Sequence, residues 1–291
     1  DPRVKVMMPA LLVGLFAVQS LVAISGSLPE QVLAYQLQRP IVIDGKYNMT
    51  LTKAIDSAGR EIWIDEWNQT KTYAMFTLYP ESVRNGTGHF ACAYDKDHLY
   101  VLWDFISCKT KLNFNNFANI RIGLFHHNRT TPNNNYDFAF SMSWVPIVSS
   151  SLMGHIGTWT GDAWKFHHIY QGERLIYFAS DLGTSSNSLA EHLIFEAKIP
   201  LSEIRIKDTT LPIGICAFMG EWISMKEEIA LSYPYDTDGR VPNRWADLKL
   251  MTIPIPEFSN VSFLLAASIA LIPILLRRSR NLQRFKHSRN E

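Results

Sequence analysis

Between residues 38 and 253, short runs of β-branched, aromatic and aliphatic residues alternate with clusters of Asn, Asp, Gly and Pro. No long stretch there holds the period of an amphipathic helix. This texture excludes a helical bundle and predicts an all-β chain folded as an antiparallel β-sandwich. The expected strands are 41–43, 72–79, 89–94, 99–106, 118–125, 136–144, 163–168, 192–199, 213–221, 229–233 and 246–252. The most legible pair flanks Asp95-Lys96-Asp97-His98, a polar four-residue loop of the kind that builds a hairpin on a type I turn. After Lys198-Ile199, Pro200 lacks the N–H that a central strand needs, so that strand ends there. Two asparagine-rich loops, 109–119 and 126–135, are expected on the surface.

The two ends differ from this body. Arg3 and Lys5 precede an apolar run over 6–24, followed by Ser25-Gly26-Ser27 and Val32-Leu33-Ala34. That order predicts a secretory signal peptide over 1–34, cleaved near Ala34, or an N-terminal anchor. A second apolar run over 261–276 carries no charge, and six basic residues follow within 277–291. The expectation is a transmembrane helix over 256–276 with a basic cytoplasmic tail at 277–291, which leaves the sandwich of 35–255 outside the cell. The formal net charge of the whole is +1, and removing both ends leaves a mildly acidic body, which disfavours nucleic acid as a partner. Five Asn-X-Ser/Thr sequons, at Asn48, Asn68, Asn85, Asn128 and Asn260, agree with export and glycosylation. Cys92, Cys108 and Cys216 allow either one disulfide with a leftover thiol or three buried thiols, and their spacing fits no zinc or haem-attachment pattern.

Motifs for catalysis are missing: the sequence has no Gly-X-Ser-X-Gly, no His-Glu-X-X-His and no glycine-rich phosphate loop. Asp104 and Glu196 are carboxylates of the type hydrolases use, but each falls within an expected strand, and a non-catalytic role is expected. Aromatic residues are abundant, with 8 Trp, 11 Tyr and 16 Phe. Aromatic faces suit sugar rings, and neighbouring polar side chains suit their hydroxyls. Gly157-Thr158-Trp159-Thr160-Gly161-Asp162-Ala163-Trp164 reads as a loop between strands, which makes Trp159, Asp162 and Trp164 candidate ligand-binding residues. Trp222, at the end of its expected strand, joins them. Asp236-Thr237-Asp238-Gly239 offers alternate acidic oxygens and a Gly, so Asp236 and Asp238 are candidate ligands for a structural calcium ion, against an ordinary Asp-Gly turn.

Four landmarks in order carry a resemblance. They are Pro40-Ile41-Val42-Ile43-Asp44-Gly45-Lys46-Tyr47, then Tyr94-Asp95-Lys96-Asp97-His98-Leu99-Tyr100-Val101, then Phe195-Glu196-Ala197-Lys198-Ile199-Pro200-Leu201, and Trp245-Ala246-Asp247-Leu248-Lys249-Leu250. Together they resemble the carbohydrate-binding family 9 (CBM9) and DOMON-like β-sandwich superfamily. The Trp that usually follows the family's opening Asp-Gly closely is displaced here to Trp63 and Trp67. The resemblance implies glycan binding, and structural calcium is common in that superfamily. It implies, as an alternative, a b-type haem in extracytoplasmic electron transfer, for which Met142, Met219, Met225, His167 and His168 are the conceivable axial ligands. A structural surface-coat glycoprotein is the third reading. Pro256-Glu257-Phe258, the apolar span and the arginine cluster resemble archaeal surface-protein sorting signals, which implies processing by a membrane transpeptidase.

Overall fold

The computed structural model describes residues 30–38, 41–47, 52–55, 61–64, 66–78, 84–111, 115–144, 151–206, 211–223, 226–235 and 237–252. The expected signal or anchor segment up to residue 29, and the expected sorting motif, membrane span and tail, lie outside these residues. Among the described residues the regular structure is strand, with helix confined to short 3-10 turns. In chain order the strands are β1 (Gln31–Gln36), β2 (Thr52–Ile55), β3 (Glu61–Ile64), β4 (Thr72–Ala74), β5 (Phe76–Thr77), β6 (His89–Tyr94), β7 (His98–Phe105) and β8 (Asn115–Leu124). They continue with β9 (Asp137–Trp144), β10 (Leu152–Trp159), β11 (Trp164–Ile169), β12 (Tyr177–Ser185), β13 (Ser188–Pro200), β14 (Ile213–Ile223), β15 (Lys226–Tyr233) and β16 (Ala246–Met251).

Hydrogen bonds run without a break in the order β11-β10-β9-β8-β14-β16-β1-β6-β7-β13-β12. The ribbon curls over itself, so that Phe178 of β12 packs on Gly154 of β10 and lies 5.8 Å from Phe140 of β9. Two layers result. Alternation supplies the core between them: Ile120, Ile122, Phe140, Met142, Ile215 and Ala217 from one layer meet Phe90, Val101, Trp103, Phe195, Ala197 and Ile199 from the other in one buried cluster.

β1 corrects one expectation. It pairs parallel with both β16 and β6, so the sheet is antiparallel except at this strand. Val32 and Ala34 of this strand are fully buried core residues. A second difference is at 41–43, which form no strand. The three cysteines are buried free thiols, which selects the second of the two alternatives.

The back layer is apolar on both faces because the segment 41–47 and the turn at Trp67 cover its outside. Ile41, Tyr47 and Trp67 pack there on Ala91, Ala93, Tyr100, Leu102 and Ile194. Glu196 organises this cover. Its carboxylate accepts N–H bonds from Asp44 (3.0 Å) and Gly45 (2.8 Å) and the indole N–H of Trp67 (2.7 Å). Gly45 is required twice over, since its φ is +80° and a Cβ would lie 2.5 Å from the β12 backbone. Asp104 is likewise structural: it accepts from Ser185 Oγ and Asn187 Nδ2 and contacts His192 Nε2, all inside the fold.

Candidate functional site

The outer face of the front layer is built differently from the covered back. Pairing registers place side chains on it in rows that cross the strands. One row reads Phe166, Gly157, Ala139, Arg121 and Cys216, from β11 to β14. The next reads His168, His155, Ser141, Asn119 and Phe218.

The first row makes a trough. Gly157 and Ala139 lack bulk between Phe166 and Arg121, and a Cβ on Gly157 would come within 2.7 Å of Ala139 Cβ and 3.1 Å of the Phe166 and Trp164 rings. The guanidinium of Arg121 therefore reaches to 5.0 Å from the Phe166 ring centroid and 5.5 Å from that of Trp164. Arg121 is only 7% exposed, and among the described residues its buried Nε has no hydrogen-bond partner. One bond from Nη1 goes to the carbonyl of Ile120 (3.1 Å). Burial pushes its pKa down to about 10, still well above neutrality, so the group is a cation.

Trp164 is fixed in orientation because its indole N–H donates to the carbonyl of Gly239 (2.9 Å). Trp245 donates to the neighbouring carbonyl of Asp238 (3.2 Å), and these two indoles hold the 237–240 segment as one wall. The result is a cavity of about 260 Å³ lined by Phe117, Asn119, Arg121, Trp164, Phe218 and Asp238, among others. Asn119 and Phe218 are half-buried there. A larger cavity of about 470 Å³ lies at the seam where the edge strands β11 and β12 approach, lined by Leu152, His168, Tyr170, Gln171, Phe178 and Ser180 among others. It lacks both the guanidinium and the tryptophan, so the trough is the better candidate.

The expected loop at 157–164 is a hairpin instead. β10 and β11 pair up to Trp159 opposite Trp164, and only 160–163 turn. The alternation was masked because the outward positions hold Gly157 and the inward ones Thr158 and Lys165. The two indoles meet edge to face at 5.5 Å. Asp162 is exposed in the turn and accepts from Thr160 Oγ1 (2.9 Å). Trp222 lies on the same face but toward the other end of β14, edge-on to Phe117 at 6.3 Å. Arg121, Asn119 and Phe166 were missed. Their signal is the outward alternation Phe117, Asn119, Arg121, Gly123, which puts one long cation among small and aromatic neighbours.

Of the cation candidates, Asp238 has its carboxylate engaged by Arg240 through Nε (3.0 Å) and Nη2 (3.0 Å), and Asp236 lies outside the described residues. Among the conceivable haem ligands, Met142 and Met219 are enclosed in the core, His167 and His168 are exposed on β11, and Met225 lies outside the described residues. Of the sequons, Asn85 and Asn128 are exposed, Asn68 falls in a 3-10 turn, and Asn48 and Asn260 lie outside the described residues. At the far end of the front layer, His126, His127 and Asp247 bring three possible ligand atoms together.

No protein-family model matches the chain, and no curated protein matches it. Among solved structures, the chain is similar to a carbohydrate-binding module of family 9 from Caldicellulosiruptor kristjanssonii in complex with cellotriose. The TM-score is 0.44 at 14% identity, over 78% of this chain and 100% of that one. It is similar also to a family 9 module of that organism in complex with glucose, with a TM-score of 0.46 at 15% identity, over 77% of this chain and 97% of that one.

Proposed function

We propose that the chain is a non-catalytic glycan-binding module whose binding face is the outer surface of β8–β11 and β14. The observation that carries this reading is the buried Arg121 cation, which lies beside two aromatic rings and has an unpartnered Nε. A buried cation with unsatisfied donors is costly unless something external answers it. The hydroxyl oxygens of a sugar are neutral acceptors that can do so, and the rings of Trp164, Phe166 and Phe218 offer apolar platforms for its C–H faces. Asn119, Ser141, His155 and His168 place further polar groups along the neighbouring row.

Binding to a glycan array of neutral oligosaccharides tests the reading. Among the described residues the Asn119 side chain makes no hydrogen bond, so Asn119→Ala should keep the wild-type melting temperature and lose at least tenfold in retention, about 1.4 kcal/mol. Wild-type protein that binds no glycan, or a variant that binds equally well, contradicts it. The proposal extends to the setting: residues 261–276 anchor the module at the cell surface, supported by their lack of charge and by the basic residues after them. Protease treatment of intact cells should then remove the sandwich and spare the tail, and protection of the sandwich would exclude that topology.

A further inference from the structure

His126 and His127 follow β8 in a short 3-10 turn, and the residue before them, Phe125, has φ 55° and ψ 34°. Residues other than glycine rarely adopt this left-handed conformation, and it re-aims the chain so that the two imidazoles lie together, their centroids 3.9 Å apart. Room for the inner ring comes from β14: a Cβ on Gly214 would lie 2.4 Å from His126 Cγ. Asp247 of β16, register partner of Gly214, stands beside them.

The three side chains converge on one carboxylate oxygen. His126 Nε2 lies 3.1 Å and His127 Nε2 2.9 Å from the same oxygen, Asp247 Oδ1. All three atoms fall within 4.8 Å of one another. His126 is completely buried, yet among the described residues neither of its ring nitrogens has a partner in hydrogen-bond geometry, and Asp247 Oδ1 has none either. The short contacts therefore lie off the N–H directions. Around a metal with bonds of about 2.0–2.2 Å, neighbouring ligand atoms are separated by roughly 2.8–3.6 Å, from octahedral to tetrahedral angles. The two nitrogen–oxygen contacts have the spacing of a coordination shell.

We propose that His126 Nε2, His127 Nε2 and Asp247 Oδ1 bind a divalent transition-metal ion of the zinc class. Two imidazoles and one carboxylate suit such an ion, whereas calcium takes oxygen ligands. Because His127 is 44% exposed, the site opens to solvent on that side, where water completes the shell. The remaining charged groups nearby are accommodated: Arg129 is held by Asp137, and Lys249 Nζ stands 4.0 Å from the other Asp247 oxygen. The ion would tie the turn after β8 to β16, two segments far apart in the chain. This inference is independent of the glycan reading.

The full chain, stripped with chelator and titrated with Zn²⁺ by calorimetry and with Co²⁺ by visible absorption, tests it. The expected result is one ion per chain, a raised melting temperature with Zn²⁺, and Co²⁺ bands of a nitrogen–oxygen site. Loss of a ligand should cost at least the roughly 10–100-fold in affinity that loss of a supporting residue costs. His127→Ala removes only the exposed ligand, so it should fold, bind Zn²⁺ that much more weakly and lose the thermal shift. His167→Ala, an exposed histidine on β11, should behave as wild type. Absence of Zn²⁺ binding by the wild type, or undiminished binding by His127→Ala, overturns the proposal.

Discussion

Arg121 is a buried cation that no carboxylate answers among the described residues. Its environment contributes ring contacts and one carbonyl, too little to offset removal of a guanidinium from water. Arg121→Met, which keeps the unbranched stem, is therefore expected to leave the melting temperature unchanged or raise it while removing glycan retention. A loss of more than about 2 kcal/mol in denaturant unfolding would instead make Arg121 a structural residue. Glu196 behaves in the opposite way, because its three donors come from the fold itself. Burial pushes its pKa up to about 8, against the pull of the Trp67, Gly45 and Asp44 donors and above its ordinary value of 4.5. Folding takes up a proton in that window, so the contribution is full below about 4.5 and is lost as pH rises through about 8. Thermal denaturation from about pH 5 to 9 should show this decline, and Glu196→Gln should flatten it. An unchanged pH profile in the variant would show that Glu196 does not titrate there.

The cover over the back layer depends on one tryptophan arriving from an unexpected distance. Trp67 is fully buried, fills the outer face of β6, β7 and β13, and donates to Glu196. Trp67→Ala is expected to cost about 3–5 kcal/mol in urea unfolding, from the cavity and the lost donor together. A cost below about 1 kcal/mol would mean that the cover adds little to stability. Elements of this kind differ in how plainly they show in sequence. The β6–β7 hairpin was legible because Asp95 builds its turn: Oδ1 accepts from the Asp97 and His98 amides, and Oδ2 accepts from Tyr100. β14 and β16 were legible for their apolar alternation. β10 was not, because the trough needs Gly157 where an alternating strand would carry bulk. β12 hid likewise, with six of its nine residues half-buried in succession and no clean alternation. β1 was masked because an apolar strand beside a longer apolar run reads as part of that run. At the site, Trp159, Asp162 and Trp164 were visible by composition, whereas Arg121 needed the register to place it beneath Trp164. His126 and His127 needed Gly214 and Asp247, which are distant in sequence.

The whole molecule has two unlike outer faces on one core. The back is closed by the 41–47 segment and Trp67, and is apolar on both sides. The front is left open, with half-buried aromatic and polar side chains around the Arg121 trough. A back covered by its own chain and a front left uncovered place the proposed ligand on the front. Hydroxyl-radical footprinting of the full chain, with and without an oligosaccharide that it retains, tests this most directly. Bound glycan should protect Trp164, Phe166 and Phe218 and leave Tyr170 at the seam and the back layer unchanged. Protection confined to Tyr170, or to the back layer, would contradict it.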